Sequence, residues 1–182
     1  MNRRQYLATT AVVASVSLSG CSALEEEVSL RNPTEDRDST WTQFTHEYRD
    51  EELVRVSFRE RSNTSSTYQL QTTISQPTET SIERTRFRFR PESEDLGPDS
   101  MFVQPLRTHL YDEFDTYRED GWIVVEALDH GEGTVSYQVL AHQTIGDDEP
   151  GPLEVDYEIV FSDDDFFETT YTARDRTTVQ FE

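Results

Sequence analysis

The chain has 182 residues, of which 37 are Asp or Glu and 16 are basic, so its formal net charge at pH 7 is −21. Every basic residue is an arginine. A surface this acidic repels nucleic acid and anionic lipid, which excludes a nucleic-acid-binding protein and a polybasic membrane-surface protein. The single cysteine excludes an intrachain disulfide and any metal site built from several thiolates.

The first 20 residues have the parts of a secretory leader, with a basic start and then a weakly apolar stretch over residues 9–19. That stretch is shorter and more polar than the roughly 20 apolar residues that span a bilayer. The start of the leader resembles the twin-arginine export signal, which is read by a receptor. The residues that carry this resemblance are Arg3, Arg4, Tyr6 and Leu7.

The end of the leader, Leu18-Ser19-Gly20-Cys21, resembles a lipobox. The resemblance implies that residues 1–20 are a removed signal peptide and that a membrane lipid alkylates Cys21. It places the protein on the outer face of the cytoplasmic membrane, with that membrane as a partner. A single acyl chain binds membranes only marginally, and an acidic chain offers no basic second signal, so we expect a two-chain lipid.

The leader, the lipobox and the acidic composition together resemble secreted lipoproteins of extremely halophilic archaea. The resemblance covers these features alone and implies no activity for the rest of the chain. A GC-rich genome, which favours arginine codons, is a second explanation for the absence of lysine.

Residues 21–40 are rich in Glu, Asp, Ser and Thr, and they predict a lipidated cysteine followed by a solvated acidic tether. Residues 41–182 predict a single domain. Apolar residues recur there with a period of two, which is typical of strands with one buried face. The clearest alternation lies in residues 54–58, 68–74, 87–89, 135–141 and 155–161.

Turn residues separate these runs into seven to nine short strands, which predicts an all-β fold. We expect an antiparallel, immunoglobulin-like β-sandwich, with a β-barrel as the alternative. Apolar residues at helical spacing also make one short helix near residues 105–118 an open alternative to a loop with strand pieces.

Four arginines at period two form the most distinctive local pattern, since they share one face of a strand. Because guanidinium groups bind carboxylates in bidentate fashion, this face is a candidate site for an acidic partner protein or an anionic polymer. The second interpretation is pairing inside the sheet with an acidic row at the same period, Glu154, Asp156 and Glu158. The four residues are Arg84, Arg86, Arg88 and Arg90.

Other candidate sites are weaker. The four histidines lack metal-ligand spacing, and the acidic runs at 147–149 and 163–165 do not fit a calcium loop, so we expect neither a metal nor another cofactor. Asn63-Thr64-Ser65 is a glycosylation sequon in a predicted loop. The histidines are His46, His109, His130 and His142.

No nucleophile elbow or phosphate loop is present, so we expect no catalytic residues and a non-catalytic binding domain for an envelope protein. One alternative is a solute- or glycan-binding module, which would have a cleft lined by aromatic residues such as Trp41, Tyr111 and Trp122. The other is a hydrolase without a recognisable motif.

The acidity makes folding dependent on salt, because the screening length falls from about 10 Å at 0.1 M salt to about 3 Å at 1 M. We therefore expect circular dichroism to show unfolding of the chain as salt is diluted well below molar. A spectrum that is unchanged in dilute buffer would contradict the halophilic interpretation.

Overall fold

The computed structural model describes residues 26–38, 40–64, 67–76, 80–92, 101–105, 114–128, 136–144, 152–163 and 169–179. Within these ranges the chain forms twelve strands: β1 (Glu26–Leu30), β2 (Thr34–Asp38), β3 (Trp41–Tyr48), β4 (Glu51–Thr64), β5 (Thr67–Ser75), β6 (Thr80–Pro91), β7 (Met101–Pro105), β8 (Phe114–Glu119), β9 (Trp122–Leu128), β10 (Ser136–Thr144), β11 (Leu153–Asp163) and β12 (Thr169–Val179).

The described strands make two six-stranded sheets. Sheet 1 has the order β1-β12-β11-β6-β9-β8, and sheet 2 has the order β2-β3-β4-β5-β10-β7. Paired strands are antiparallel except for β1, which lies parallel to β12. No helix within the described ranges is long and apolar enough to cross a membrane.

The core lies between the two sheets, because alternate residues of each long strand point inward. On β11 the inward residues are fully buried, and their neighbours in sequence stand half-buried on the other face. The ring of Tyr157, from sheet 1, lies 6.0 Å from the rings of both Phe44 and Phe58, from sheet 2. The predicted antiparallel, immunoglobulin-like β-sandwich is confirmed. The β-barrel alternative is wrong, since the described strands form two separate sheets.

The N-terminal boundary of the domain differs from the sequence prediction. Residues 26–38, predicted to be part of a tether over 21–40, form β1 and β2. β1 pairs with β12 and buries Leu30 in the core, whereas β2 pairs with β3 and exposes all five of its side chains. An edge strand is held largely by backbone hydrogen bonds and needs few apolar residues, so its composition can be that of a linker.

The open alternative of a short helix near residues 105–118 is wrong for residues 114–118, which belong to β8; residues 106–113 lie outside the described ranges. β8 forms a hairpin with β9 through Asp120 and Gly121, whose φ angles are 49° and 80°. Two consecutive residues with positive φ suit a two-residue hairpin turn. This turn places Phe114 and Tyr117, two of the apolar residues that suggested a helix, in an extended strand.

Candidate functional site

The four arginines of β6 lie on the outer face of sheet 1, where they alternate with the buried residues Thr85, Phe87 and Phe89. The strand spans one layer of the sandwich, so its even-numbered residues from Arg84 to Arg90 face outward while Phe87 and Phe89 face the core. We call the set Arg84, Arg86, Arg88 and Arg90 the arginine stripe.

Carboxylates on neighbouring strands pair with every member of the arginine stripe. Arg88 donates from Nε and Nη2 to the two carboxylate oxygens of Asp156, at 3.1 and 2.6 Å. Arg84 donates to Glu158 at 2.5 Å, and Arg90 donates to Glu154. Pairing inside the sheet is therefore what the structure shows for these three arginines, as the second interpretation of the sequence predicts.

The remaining member, Arg86, pairs away from β11. It donates to Glu119 of β8 at 2.5 Å. Burial lowers the pKa of its guanidinium, but the hydrogen bond to Tyr117 and the charges of Glu119 and Glu126 outweigh burial and raise it. Arg86 thus stays charged and links β6 to β8 across the intervening strand β9.

Two further arginines, Arg174 and Arg176 of β12, extend this surface on the other side of β11. Arg176 donates to Glu154 at 3.0 Å, and Arg174 lies 3.5 Å from Glu158. Burial raises the pKa of Glu154, but its hydrogen bonds and charge contacts with Arg90 and Arg176 lower it overall. Two of the β11 carboxylates are therefore each shared between two arginines.

We call this surface the charged face. It comprises six arginines and the four carboxylates with which they form ion pairs, so arginine is concentrated there although the whole chain carries −21. Glu126, which lies opposite Arg86, and Asp115, which lies opposite Glu126, add two carboxylates at the border of this face. The six arginines are Arg84, Arg86, Arg88, Arg90, Arg174 and Arg176, and the four carboxylates are Glu119, Glu154, Asp156 and Glu158.

Trp122 lies beneath the arginines of the charged face. Three guanidinium carbons lie over its ring, those of Arg90, Arg88 and Arg176, at 4.4, 5.1 and 5.3 Å from the ring centroid. Such contacts stabilise by about 0.5–1 kcal/mol each at exposed sites. They leave only 7% of Trp122 exposed, so this ring offers little area for stacking a sugar.

The aromatic cleft of the glycan-binding alternative is not assembled by the residues predicted for it. Trp41 begins β3 in sheet 2 and stands half-buried on the face opposite to Phe44, whereas Trp122 stands on the outer face of sheet 1. The sandwich therefore separates the two rings. Tyr111 lies outside the described residues.

A groove of about 480 Å³ opens where β12, β11 and β6 meet the turn after β1. Such a volume is within the range of small-ligand sites. Asn32, with a φ of 61°, forms part of its wall. Its charged lining consists of five arginines (Arg31, Arg86, Arg88, Arg174 and Arg176) and three carboxylates (Asp156, Glu158 and Asp175).

His46 is a buried core residue, 1% exposed, on the inner face of β3. Its Nε2 lies 2.9 Å from the hydroxyl of Tyr157, and the ring also donates to the backbone carbonyl of Leu30. The ring can donate only once while neutral, so Tyr157 is the donor to Nε2. Burial lowers the pKa of His46 to about 4, although the charge of Asp175 and the bond to Leu30 oppose this.

The other predicted candidates do not form a site in the part of the chain that is described. His109 and His130 lie outside it, and His142 lies on β10. The Asp163 carboxylate accepts hydrogen bonds from the Thr169 backbone and the Tyr171 hydroxyl, at 3.1 and 3.0 Å. No group of three or more His, Cys, Asp or Glu within the described residues could hold a metal ion.

The glycosylation candidate Asn63 lies on β4, opposite Tyr68 of β5, and the prediction of a loop at this position is wrong. Its strand ends one residue later, at Thr64. Use of the sequon stays a prediction. The leader residues, from Arg3 to Cys21, lie outside the described ranges.

Sequence reasoning missed Arg31, Arg174 and Arg176. Arg174 and Arg176 carry the same period-two signal as the arginine stripe, and this signal could have placed them on one face of β12. Arg31 has no comparable signal, because its position in the groove depends on how β1 pairs with β12.

Comparison with known proteins gives a sequence family and distant structural likenesses. A family model described as "Domain of unknown function (DUF8121)" matches residues 27–182. No protein of curated function matches the sequence.

Three of the similar solved structures are β-domains of proteins from different organisms. The GAE domain of GGA2p from Saccharomyces cerevisiae is 10% identical, with a TM-score of 0.36, covering 83% of this chain and all of that domain. A non-cellulosomal cohesin from Archaeoglobus fulgidus is 15% identical, with a TM-score of 0.33 and coverage of 61% and 81%. The collagen-binding subdomain of the Enterococcus faecalis surface protein ACE is 12% identical, with a TM-score of 0.35 and coverage of 65% and 96%. At these identities and TM-scores, nothing about binding passes to this chain.

The buried His46 makes the stability of the domain depend on pH. Its pKa is about 4 when folded and 6.5 ordinarily, so the unfolded chain binds the extra proton first on acidification. The contribution of neutral His46 to the free energy of unfolding is therefore fully present above pH 6.5. It decreases as the pH falls towards 4, by about 3 kcal/mol in total.

We expect the free energy of unfolding, measured by urea titration at molar salt, to fall more steeply over this pH range in the wild type than in His46→Gln. The comparison with the variant cancels the effect of the many carboxylates, because they titrate in both proteins. Parallel curves for the two proteins would contradict the assignment of a neutral, buried His46.

Proposed function

The chain belongs to the DUF8121 family, and we propose that it is a lipid-anchored, non-catalytic binding module that contacts a protein of the cell envelope. The binding surface in this proposal is the charged face of sheet 1. The observation that supports it is the concentration of six arginines on one face of a chain whose net charge is −21.

Charge explains why this face suits an acidic partner. Two surfaces that both carry many carboxylates repel each other wherever those carboxylates meet, and like charges brought together cost several kcal/mol. On the charged face, each approaching carboxylate meets guanidinium groups that can bind it in bidentate fashion. At molar salt long-range attraction is screened, so such contact pairs are what remains.

The charged face also favours binding over hydrolysis. Each of its four carboxylates already contacts at least one arginine. His46 contacts Tyr157 in the core, away from this face. A serine with an adjacent histidine does not occur among these contacts. We therefore propose binding without catalysis.

The proposed location depends on the leader. Arg3 and Arg4 resemble an export signal, and Leu18 to Cys21 resemble a lipobox. Residues 22–25 separate Cys21 from the first residue of β1, and at about 3.4 Å per residue this places the start of the sandwich within roughly 20 Å of the bilayer. In this proposal the domain works next to the membrane surface, in the saline medium outside the cell.

The proposed partner can be tested by chemical cross-linking on intact cells at native salt, followed by mass spectrometry. We expect one dominant protein to be cross-linked to the wild type. The double variant Arg84→Gln with Arg90→Gln should reduce that product about tenfold, equivalent to about 1.4 kcal/mol. This pair leaves every β11 carboxylate with one arginine, namely Arg174, Arg88 or Arg176, so the sheet keeps its pairing.

The matched control is Arg37→Gln with Arg55→Gln, which removes the same charge and two ion pairs from sheet 2. It should leave the cross-linked product unchanged. Equal losses in both double variants, or no dominant protein with the wild type, would contradict the proposed binding surface.

The proposed anchor can be tested by cell fractionation of Cys21→Ala, with Ser22→Ala as the control that keeps the cysteine. We expect Cys21→Ala to leave the membrane fraction, while Ser22→Ala stays there. Intact mass spectrometry of the wild type should show residues 21–182 plus a two-chain lipid. A Cys21→Ala protein that stays in the membrane fraction would contradict the anchor.

A further inference from the structure

The groove between β12, β6 and the turn after β1 carries more positive than negative charge. Its lining has two more arginines than carboxylates. Arg31 donates to Ser29 at 3.3 Å, and among the described residues it pairs with no carboxylate. Because Nε is the atom that donates to Ser29, the edge formed by Nη1 and Nη2 of Arg31 is the one that faces no carboxylate of the described residues and suits an anion.

Two more guanidinium groups at the groove are poorly held. The side chains of Arg174 and Arg176 are 51% and 53% exposed, and each shares its carboxylate with an arginine of β6. An exposed ion pair contributes only about 0–1 kcal/mol. Either arginine can therefore turn towards a ligand while Glu158 or Glu154 keeps its other partner.

From this arrangement we propose that the groove binds an acidic peptide segment, with the carboxylates of successive Glu or Asp residues held by Arg31, Arg174 and Arg176. The proposal rests on the proposed function and names the part of the protein partner that enters the groove. A volume of about 480 Å³ exceeds what a single inorganic anion fills and suits two or three side chains. The separated positive groups also match several carboxylates better than one compact anion.

The fluorescence of Trp122 can report on binding in the groove. Arg88 and Arg176 line the groove and also lie over the ring of Trp122. A peptide that draws Arg176 away changes the charge next to the indole, and indole emission responds to nearby charge. The chain has two tryptophans, so Trp41→Phe leaves Trp122 as the sole source of the signal.

The test is a fluorescence titration of the full chain carrying Trp41→Phe, at molar salt and constant ionic strength, with a hexaglutamate peptide. We expect a saturable change in Trp122 emission. Arg31→Gln with Arg174→Gln should raise the apparent dissociation constant about tenfold, because both lose their contact with the peptide while neither touches Trp122. The pair Arg37→Gln with Arg55→Gln should titrate like the parent, and a hexaglutamine peptide should give no change.

Three outcomes would overturn the proposal: no saturable change with hexaglutamate, equal affinity after loss of Arg31 and Arg174, or saturation by inorganic sulfate at the same concentration. The last would assign the groove to small oxyanions. Should Trp41→Phe fail to fold, the anisotropy of a labelled hexaglutamate peptide with the unsubstituted tryptophans gives the same comparison.

The same groove variants separate this inference from the proposed function. In the cell cross-linking experiment, Arg31→Gln with Arg174→Gln should also reduce the partner. If the partner is cross-linked as in the wild type, the charged face binds it without the groove, and the inference fails while the proposed function stands. If no partner is cross-linked but hexaglutamate binds, the groove binds acidic peptides and the proposed envelope partner is the claim that fails.

Discussion

The register between β6 and β11 is the constraint on which both the core and the charged face depend. Phe87 lies opposite Tyr157 on the inner side, and Arg88 lies opposite Asp156 on the outer side. A slip of one residue would exchange the faces, placing guanidinium and carboxylate groups in the core and aromatic rings in water. Because burying an unpaired charge costs far more than an exposed pair contributes, the alternation excludes every register shifted by an odd number of residues. The strands that close the sandwich thereby also assemble its arginines.

Order in the charged face has a second source, the tryptophan beneath it. A free arginine side chain loses rotamer freedom when it binds a ligand, at a cost of about 0.5–1.5 kcal/mol. Arg88 and Arg90 already lie over Trp122 and hold carboxylates on β11, so part of this cost is met on folding. Among the described residues, no aromatic ring lies under Arg174 or Arg31. The surface thus combines a centre held by ring and carboxylate contacts with a more exposed border at the groove.

The sequence was sufficient to predict the fold class and the pairing of the arginine stripe. It was insufficient to predict the edge strands β2 and β8. Period-two alternation predicts a strand wherever one face is buried, which is why β6 and β11 are recognisable and why their opposite charges could be matched. The exposed strand β2 carries no such signal, since all five of its side chains face solvent and none has a buried face to mark. For β8, apolar residues at helical spacing suggested a helix, and the hairpin turn at Gly121 overrides that pattern. The groove was out of reach because it joins three strands and a turn that are distant in sequence.

The parallel pairing of β1 with β12 has a mechanical consequence for a domain tethered at its N-terminus. With Cys21 held in a bilayer as proposed, tension enters the domain at Glu26, the first residue of β1. The arginines of β12 lie beyond the far end of β1 along the same direction, since β1 pairs with Thr169 through Ala173 and stops before Arg174. A load between the membrane and a partner held at Arg174 therefore pulls the two strands past each other along their length. All of the inter-strand hydrogen bonds then bear the force together, whereas an antiparallel edge strand loaded at the same residues would open one bond at a time. The edge strand β1, whose composition is that of a linker, is thus oriented so that tension loads it in shear.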